Sequence, residues 1–403
     1  MNSFSTLKRI ITIPPIKFLL DSLTLLLNDI RVYITYFRKY RKFKALPALK
    51  KGFEDHRESF MDNNPAYLEI FQRIRSAYIK AKEDQKTVPI PYQVGAQWQH
   101  NLDKSGSELI EAINKVDISR LKSLLENFTR EKCGFGINLA TDYSKMKRHP
   151  FTYKYEYVKI WYDFYSLYEK IMHKPPELRY PLVGNPIVLY YDGAVIPYET
   201  IRFFYCAQEI QSLLSDNENA VICEIGGGTG GQAYQVPANI KRPTTYILLD
   251  IPEVLVISSY FLMAALPEKR VLLFGEGDLN NVNIEKYDLI LMPNFIFPSV
   301  DDMTVDLFFN QASFSEMDSR TLTEYINQIE RVCKRYLMHI NHNKKFTFNE
   351  DGVISSNMPW VLVYSTETFR RIYQHPWLFL SIDQEKMHLA TDSYASFLYE
   401  RYS

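Results

Sequence analysis

Four cysteines in 403 residues are few, and their placement excludes more than their number does. Cys133, Cys206, Cys223 and Cys333 lie far apart, with no C-x-x-C pair and no histidine at zinc-finger spacing. Neither a disulfide framework nor a structural zinc site has a basis here, and buried reduced thiols in a cytoplasmic protein are expected. Net charge is missing too. The 47 Lys and Arg balance 47 Asp and Glu, so the chain as a whole carries no electrostatic footprint for nucleic acid. The apolar stretch near the N-terminus is interrupted by Lys17, Asp21, Asp29 and Arg31. It therefore has no uncharged run of the roughly 20 residues that span a bilayer, and it lacks the usual form of a secretory signal. No His, Asp and Glu cluster announces a metal, so no metal is assigned.

The rest of the composition is that of a soluble globular chain, 46% hydrophobic and 23% charged, long enough for two domains. Its 29 Tyr and 25 Phe serve core packing first and stacking on carbohydrate or nucleotide rings second.

Three regions follow one another. In the first, residues 1–55, eleven Lys and Arg between Met1 and Lys51 face only Asp21 and Asp29. Leu19, Leu23, Leu26, Ile30, Ile34 and Phe37 recur at helical spacing, and the basic run Arg38–Lys44 follows. Such a helix either lies on an anionic membrane surface, here through residues 15–45 on the cytoplasmic face, or packs on its own protein. The second region, 56–177, reads as helical and is the expected acceptor-binding cap. Ala66–Ala81, Glu108–Val116 and Tyr155–Met172 are amphipathic, and Asp117 suits an N-cap for Asp117–Phe128. The third, 178–403, begins with a strand or hairpin within Leu178–Glu199 and a helix at Thr200–Leu214, then alternates strands and helices as an open α/β sheet does. Leu378–Asp383 and Tyr394–Arg401 are its expected closing antiparallel pair.

The segment Ala220–Val236 carries the chemistry. Val221–Ile225 is a short apolar strand, and the glycines that follow allow a tight turn and close approach of a ligand. Gly226, Gly228 and Gly231 alone satisfy the dinucleotide pattern G-x-G-x-x-G. Glu224 discriminates. A pyrophosphate gains nothing from a carboxylate at that strand end, whereas S-adenosylmethionine presents an ammonium and a sulfonium and no phosphate. The next strand ends at Asp250, where an acid can accept from both ribose hydroxyls of either cofactor. Beyond the strand in Arg270–Asp278, Glu276 or Asp278 could touch the adenine amino group, or the segment is a plain turn.

These residues resemble the bacterial sugar O-methyltransferases, a group of class I S-adenosylmethionine-dependent enzymes. The resemblance rests on VGNP at Val183–Pro186, EIGGGTGG at Glu224–Gly231, LLDIPEV at Leu248–Val254 and NQASFSEM at Asn310–Met317. It departs at Thr229, where the family often has an aromatic. It implies an α/β, Rossmann-like class I fold with a seven-stranded mixed sheet. The cofactor would be held by Glu224, Gly226, Gly227, Gly228, Asp250 and Asp278, with Asn310–Glu316 facing the methyl group. The implied acceptor is a carbohydrate hydroxyl of a surface glycan or its precursor.

Methyl transfer to so weak an acid needs an aligned oxygen and a base. Glu316, His342 and His339 are the candidates. Glu316 could instead cap the following helix, and His339 could be a core residue. Asn310 is expected as a hydrogen-bonding group beside the reacting atoms. Two other readings stand beside this one. A nucleic-acid methyltransferase would use the basic helix as its grip, but Asn310–Ser313 lacks the Pro-Pro-aromatic loop of base-methylating enzymes. A cofactor-binding partner without turnover in a glycan-synthesis complex would not need both acids intact.

Overall fold

The computed structural model describes residues 65–134, 178–191, 194–197, 199–239, 244–277, 283–343, 359–364, 367–377 and 394–402, with isolated positions at 23–57, 168–173, 242 and 279. The chain divides into two compact units. One is Met1–Asp55, Ala140–Tyr180 and Ile187–Ile201; the other is His56–Leu139, Pro181–Pro186 and Arg202–Ser403. The helical stretch before residue 135 thus shares a unit with the sheet.

In the first unit, β1 (Val188–Tyr191) and β2 (Ala194–Pro197) form the antiparallel hairpin expected within Leu178–Glu199. Of the predicted helix Tyr155–Met172, Tyr168 and Lys170 are described and helical, and the remainder lies outside the described residues.

The second unit is built on an eight-stranded sheet. Its strands are β3 (Ala220–Ile225), β4 (Thr244–Asp250), β5 (Val271–Leu273), β6 (Leu289–Pro293), β7 (Val305–Gln311), β8 (Cys333–His342), β9 (Phe369–Pro376) and β10 (Tyr394–Arg401), in the order β5-β6-β4-β3-β7-β8-β10-β9. β3 to β8 run parallel, and β10 is antiparallel to both β8 and β9. This is the Rossmann-like mixed sheet, with one strand more than expected. The difference is β9, whose sequence FRRIYQHP lies mostly exposed at the sheet edge. Charged, solvent-facing edge strands carry little apolar alternation by which to read them. β10 forms as expected, but β8 and β9 occupy its two edges, and Leu378–Asp383, expected there as its partner, lies outside the described residues.

β3, β6 and β7 are buried at every position, as parallel strands covered on both faces must be. Their cover comes from α5 (Thr200–Leu213), α6 (Gly231–Asn239), α7 (Pro252–Ala265) and α8 (Ser319–Val332). α8 is strongly amphipathic and turns Leu322, Tyr325, Ile326 and Ile329 inward. α7 differs. PEVLVISSYFLMAA is apolar nearly all round, and Pro252 through Met263 are buried. A helix without a polar face needs cover on its outer side as well.

That cover is α1 (Pro65–Asp84), which packs along α7. Phe71 stacks on Tyr260 with ring centroids 6.0 Å apart, and Lys82 pairs with Glu253 at 2.7 Å. Beyond α1 come α2 (Ala96–Asn101), α3 (Ser107–Asn114) and α4 (Ile118–Leu125). Asp117 caps α4 as expected, accepting from the Arg120 backbone N–H at 2.9 Å. VGNP clasps the chain just after α4. Asn185 donates to Asn127 Oδ1 at 2.7 Å, and a Cβ on Gly184 would fall 2.1 Å from the Phe128 ring.

Candidate cofactor and acceptor site

The chain leaves β3 towards β4 on one side and returns to β7 on the other, so the strand order reverses at the carboxyl end of β3. Ligands of open α/β sheets bind at such a point. Glu224, Asp250, Asn310 and His342 all stand at the carboxyl ends of neighbouring strands, β3, β4, β7 and β8.

The glycine loop is shaped by what surrounds it. Gly226 has φ +72, and a Cβ there would lie 2.2 Å from Ser313 Oγ; on Gly227 it would lie 2.7 Å from Leu248 Cδ1. The chain can pass only without side chains at these two positions. Gly226, Gly227 and Gly228 remain partly exposed between buried Ile225 and buried Thr229, so the loop presents bare backbone to a ligand. α6 starts at Gly231, directly behind it.

Two carboxylates flank the loop. Glu224 is 3% exposed, and among the described residues its one hydrogen-bond donor is the Tyr246 hydroxyl, at 2.8 Å. Burial, with the charge of Asp250 adding and the Tyr246 hydrogen bond and the charge of Arg202 opposing, pushes its carboxyl up to about 8. A buried acid so poorly compensated favours a cationic ligand. Asp250 accepts from the backbone N–H groups of Gly228 at 3.0 Å and Ile251 at 2.8 Å, which fixes its rotamer beside the loop. Burial raises it to about 7, against those two hydrogen bonds. This pair of hydrogen-bond acceptors suits an ammonium and a diol. The ligand it fits is S-adenosylmethionine.

Glu276 takes the turn reading. It accepts from Leu273 N at 2.9 Å and from Arg73 Nε at 2.6 Å, tying the exit of β5 to α1. Asp278 lies outside the described residues.

On the other flank, Ala312 at φ +70 breaks β7 into a short turn, Ser313–Glu316. Asn310 is fully buried. Its amide donates to Ile225 O at 2.8 Å and to Ser313 Oγ at 2.5 Å, and its oxygen accepts from Asn341 at 2.8 Å. Asn341 in turn accepts from the Ser315 hydroxyl at 3.2 Å, and Ser315 Oγ accepts from His342 N at 3.0 Å. The network bolts the ends of β3, β7 and β8 together under the glycine loop. Asn310 is thus engaged with protein partners rather than turned towards an open position.

Glu316 is not the helix cap. That place belongs to Asp318, which accepts from Thr321 N at 2.9 Å. Glu316 instead accepts from Trp98 Nε1 of α2 at 2.9 Å. It keeps some exposure, yet desolvation of its carboxyl, reinforced by the charge of Asp250 and opposed by Trp98, pushes it up to about 7. His342 is 4% exposed with its ring 3.9 Å from that of Tyr394, whose hydroxyl senses the charge of Glu316. His339 takes the core alternative. It is fully buried, stacked at 4.7 Å on Phe397, and desolvation depresses it to about 3. A neutral imidazole sealed in the core is no base for a substrate.

Trp98, Tyr246 and Tyr394 were not anticipated. The signal for Tyr246 was available, since it precedes Asp250 on the same strand face by an even step. Trp98 gave none, because its partner is 218 residues away. Among the described residues, no group of three or more His, Cys, Asp or Glu is placed to hold a metal ion.

The family model described as an O-methyltransferase domain matches residues 208–313. Among solved structures, the chain is similar to a SAM-dependent methyltransferase from Aquifex aeolicus at 15% identity, covering 49% of this chain and 89% of that one, with a TM-score of 0.32. It is also similar to mitomycin 7-O-methyltransferase at 12% identity, 51% and 56% coverage and a TM-score of 0.31. A third is geranyl diphosphate C-methyltransferase from Streptomyces coelicolor, at 10% identity, 49% and 76% coverage and a TM-score of 0.34. No protein of curated function matches the chain in sequence. Residues 208–313 thus match the model of an O-methyltransferase domain, and they lie within the unit built on the Rossmann-like sheet.

Proposed function

We propose that the protein is an O-methyltransferase that methylates a sugar hydroxyl of a surface glycan or its precursor. The observation that carries this reading is Glu316, a carboxyl poised at about 7 on the same sheet edge as the cofactor acids. A base with that affinity is half ionised at neutral pH and can take a hydroxyl proton as the new bond forms. An amine acceptor, once deprotonated, would need no such group.

When bound, the cofactor supplies a methyl carbon made electrophilic by its sulfonium. Glu224 receives the ammonium end, Asp250 the ribose diol, and the bare backbone of Gly226–Gly228 permits close approach. Asn310 and Asn341 position the loop and the strand ends and touch no reacting atom. Glu316 accepts the proton. The partly exposed Trp98, beside that carboxyl, offers an indole face of the kind on which a sugar ring stacks. The carbohydrate assignment rests on this pairing of aromatic and carboxyl and on the family resemblance.

The test is transfer of labelled methyl from S-adenosylmethionine to free, nucleotide-linked and lipid-linked sugars, with RNA and an amine panel alongside. Labelled sugar formed by the wild type and not by Glu316→Gln supports the assignment. Methylation confined to RNA or amines would overturn it.

A further inference from the structure

The N-terminal segment has no part in the chemistry above. Seven positions between residues 23 and 34 are described, and all are helical. Five are large apolar residues on the surface: Leu23 at 53% exposure, Leu26 at 53%, Leu27 at 59%, Ile30 at 50% and Ile34 at 46%. At 3.6 residues per turn they fall within an arc of about 100°, with Thr24 and Arg31 at its border. A surface helix normally buries such a stripe. Exposed scattered leucines are ordinary, whereas a contiguous apolar face marks an interaction site.

Charge selects the occupant. Between Met1 and Lys51 the sequence holds eleven Lys and Arg and two Asp, an excess of nine, in a chain whose total balances to zero. Seven of the eleven follow Ile34, five of them within Arg38–Lys44 with Tyr40 and Phe43 interleaved. A second protein copy brings the same positive excess to the contact and is repelled. A bilayer with anionic headgroups supplies both an apolar interior for the stripe and counter-charge for the basic run. No helix among the described residues is long and apolar enough to cross a membrane. An amphipathic helix with a basic polar side lies in the interface plane.

We infer that residues 23–44 dock this protein on an anionic lipid surface, with Leu23, Leu26, Leu27, Ile30 and Ile34 inserted and the basic run on the headgroups. The inference is independent of the acceptor assigned above.

The experiment is co-sedimentation of the full chain with vesicles of phosphatidylcholine alone or with phosphatidylglycerol added, at low and near-physiological salt. It compares wild type, Leu23→Glu/Leu27→Glu/Ile30→Glu, and Lys39→Gln/Arg41→Gln/Lys42→Gln/Lys44→Gln. The wild type should bind the anionic vesicles at least tenfold more tightly than the neutral ones. The apolar variant should lose at least tenfold of that affinity at both salt concentrations while S-adenosylmethionine binding stays unchanged. The basic variant should lose affinity chiefly for anionic vesicles, with a weaker salt dependence. Wild type that ignores both vesicle types would overturn the inference, as would an apolar variant that binds like wild type. So would a wild-type dimer that fails to sediment and that the apolar variant dissociates, because the face would then belong to a second copy.

Discussion

The glycine loop and the flank opposite it serve one site but are assembled differently. The loop is local. Glu224, Gly226, Gly228 and Asp250 come from one strand-loop-helix-strand unit of about thirty residues, against which Phe203, Leu262 and Ser313 pack from elsewhere. The flank is composite. Glu316 leaves β7, Trp98 arrives on α2, and Asn341 and His342 end β8. Short-range assembly leaves a pattern in the sequence because neighbouring residues must answer to each other. Long-range assembly leaves none, because each member answers to a partner on an element outside its own strand-loop-helix-strand unit. The two regions also differ in what they ask of a ligand. The loop side holds buried acids short of positive charge, and the flank holds an acid tuned to accept a proton.

Substitutions on the flank should separate chemistry from cofactor binding. Glu316→Gln should lower kcat by ~10²–10⁴, the usual worth of a positioned base, with cofactor affinity nearly unchanged. Single-turnover kinetics beside calorimetry would show this, and equal losses in both would merge the two regions into one. On the loop side the effect should fall on binding. Gly226→Ala must hold an L-residue at φ +72 against Ser313. Strain and overpacking of together about 3 kcal/mol should weaken cofactor binding roughly 100-fold.

Glu224→Ala comes next. Losing a charged hydrogen bond costs about 1.5–3 kcal/mol, so affinity for S-adenosylmethionine should fall about 10- to 100-fold by calorimetric titration, with NAD bound by neither protein. Because wild-type Glu224 must ionise from about 8 to receive a cation, affinity should rise with pH towards that value, and the variant should lose this rise. NAD binding by the wild type would mean that Glu224 has been misread.

Trp98→Phe should act more gently. The indole N–H lowers the Glu316 pKa, so its removal should move the acidic limb of the pH–rate profile upward and reduce turnover a few-fold near neutrality. An unmoved profile with reduced kcat would leave Trp98 a packing residue only. The smallest effect is on stability. Folded Glu224 and Asp250 keep protons to about 8 and about 7, whereas unfolded carboxyls release theirs near pH ~4. Across that window the folded state binds more protons, so the stability these groups contribute falls as pH rises and levels off above about 8. Melting temperatures of cofactor-free protein between about pH 5 and 9 should decline, and saturating cofactor should flatten the decline.

What could be read beforehand follows the same division. β3, β4, β6, β7, β8 and β10 and helices α1 and α3 to α8 stand where apolar runs, helical periodicity, Gly and capping residues mark them. β9 escaped because its exposed charges hide the strand period. Asp117 showed its cap through residue type alone, yet the competing capping role of Glu316 was excluded only when Asp318 took the N-cap of α8. His339 and His342, three residues apart on one strand, were both candidate bases until Phe397 of β10 stacked on the first and sealed it in the core.

By itself, then, the sequence determined the Rossmann-like scaffold and the placing of two acids, Glu224 and Asp250, at strand ends beside a glycine loop, since both depend on residue types at short, fixed spacing. Only the tertiary structure decided which carboxyls are raised towards neutrality, which histidine is sealed in the core, and that Trp98 reaches Glu316. Those properties come from desolvation and from contacts between distant segments, and neither exists until the chain has closed around them.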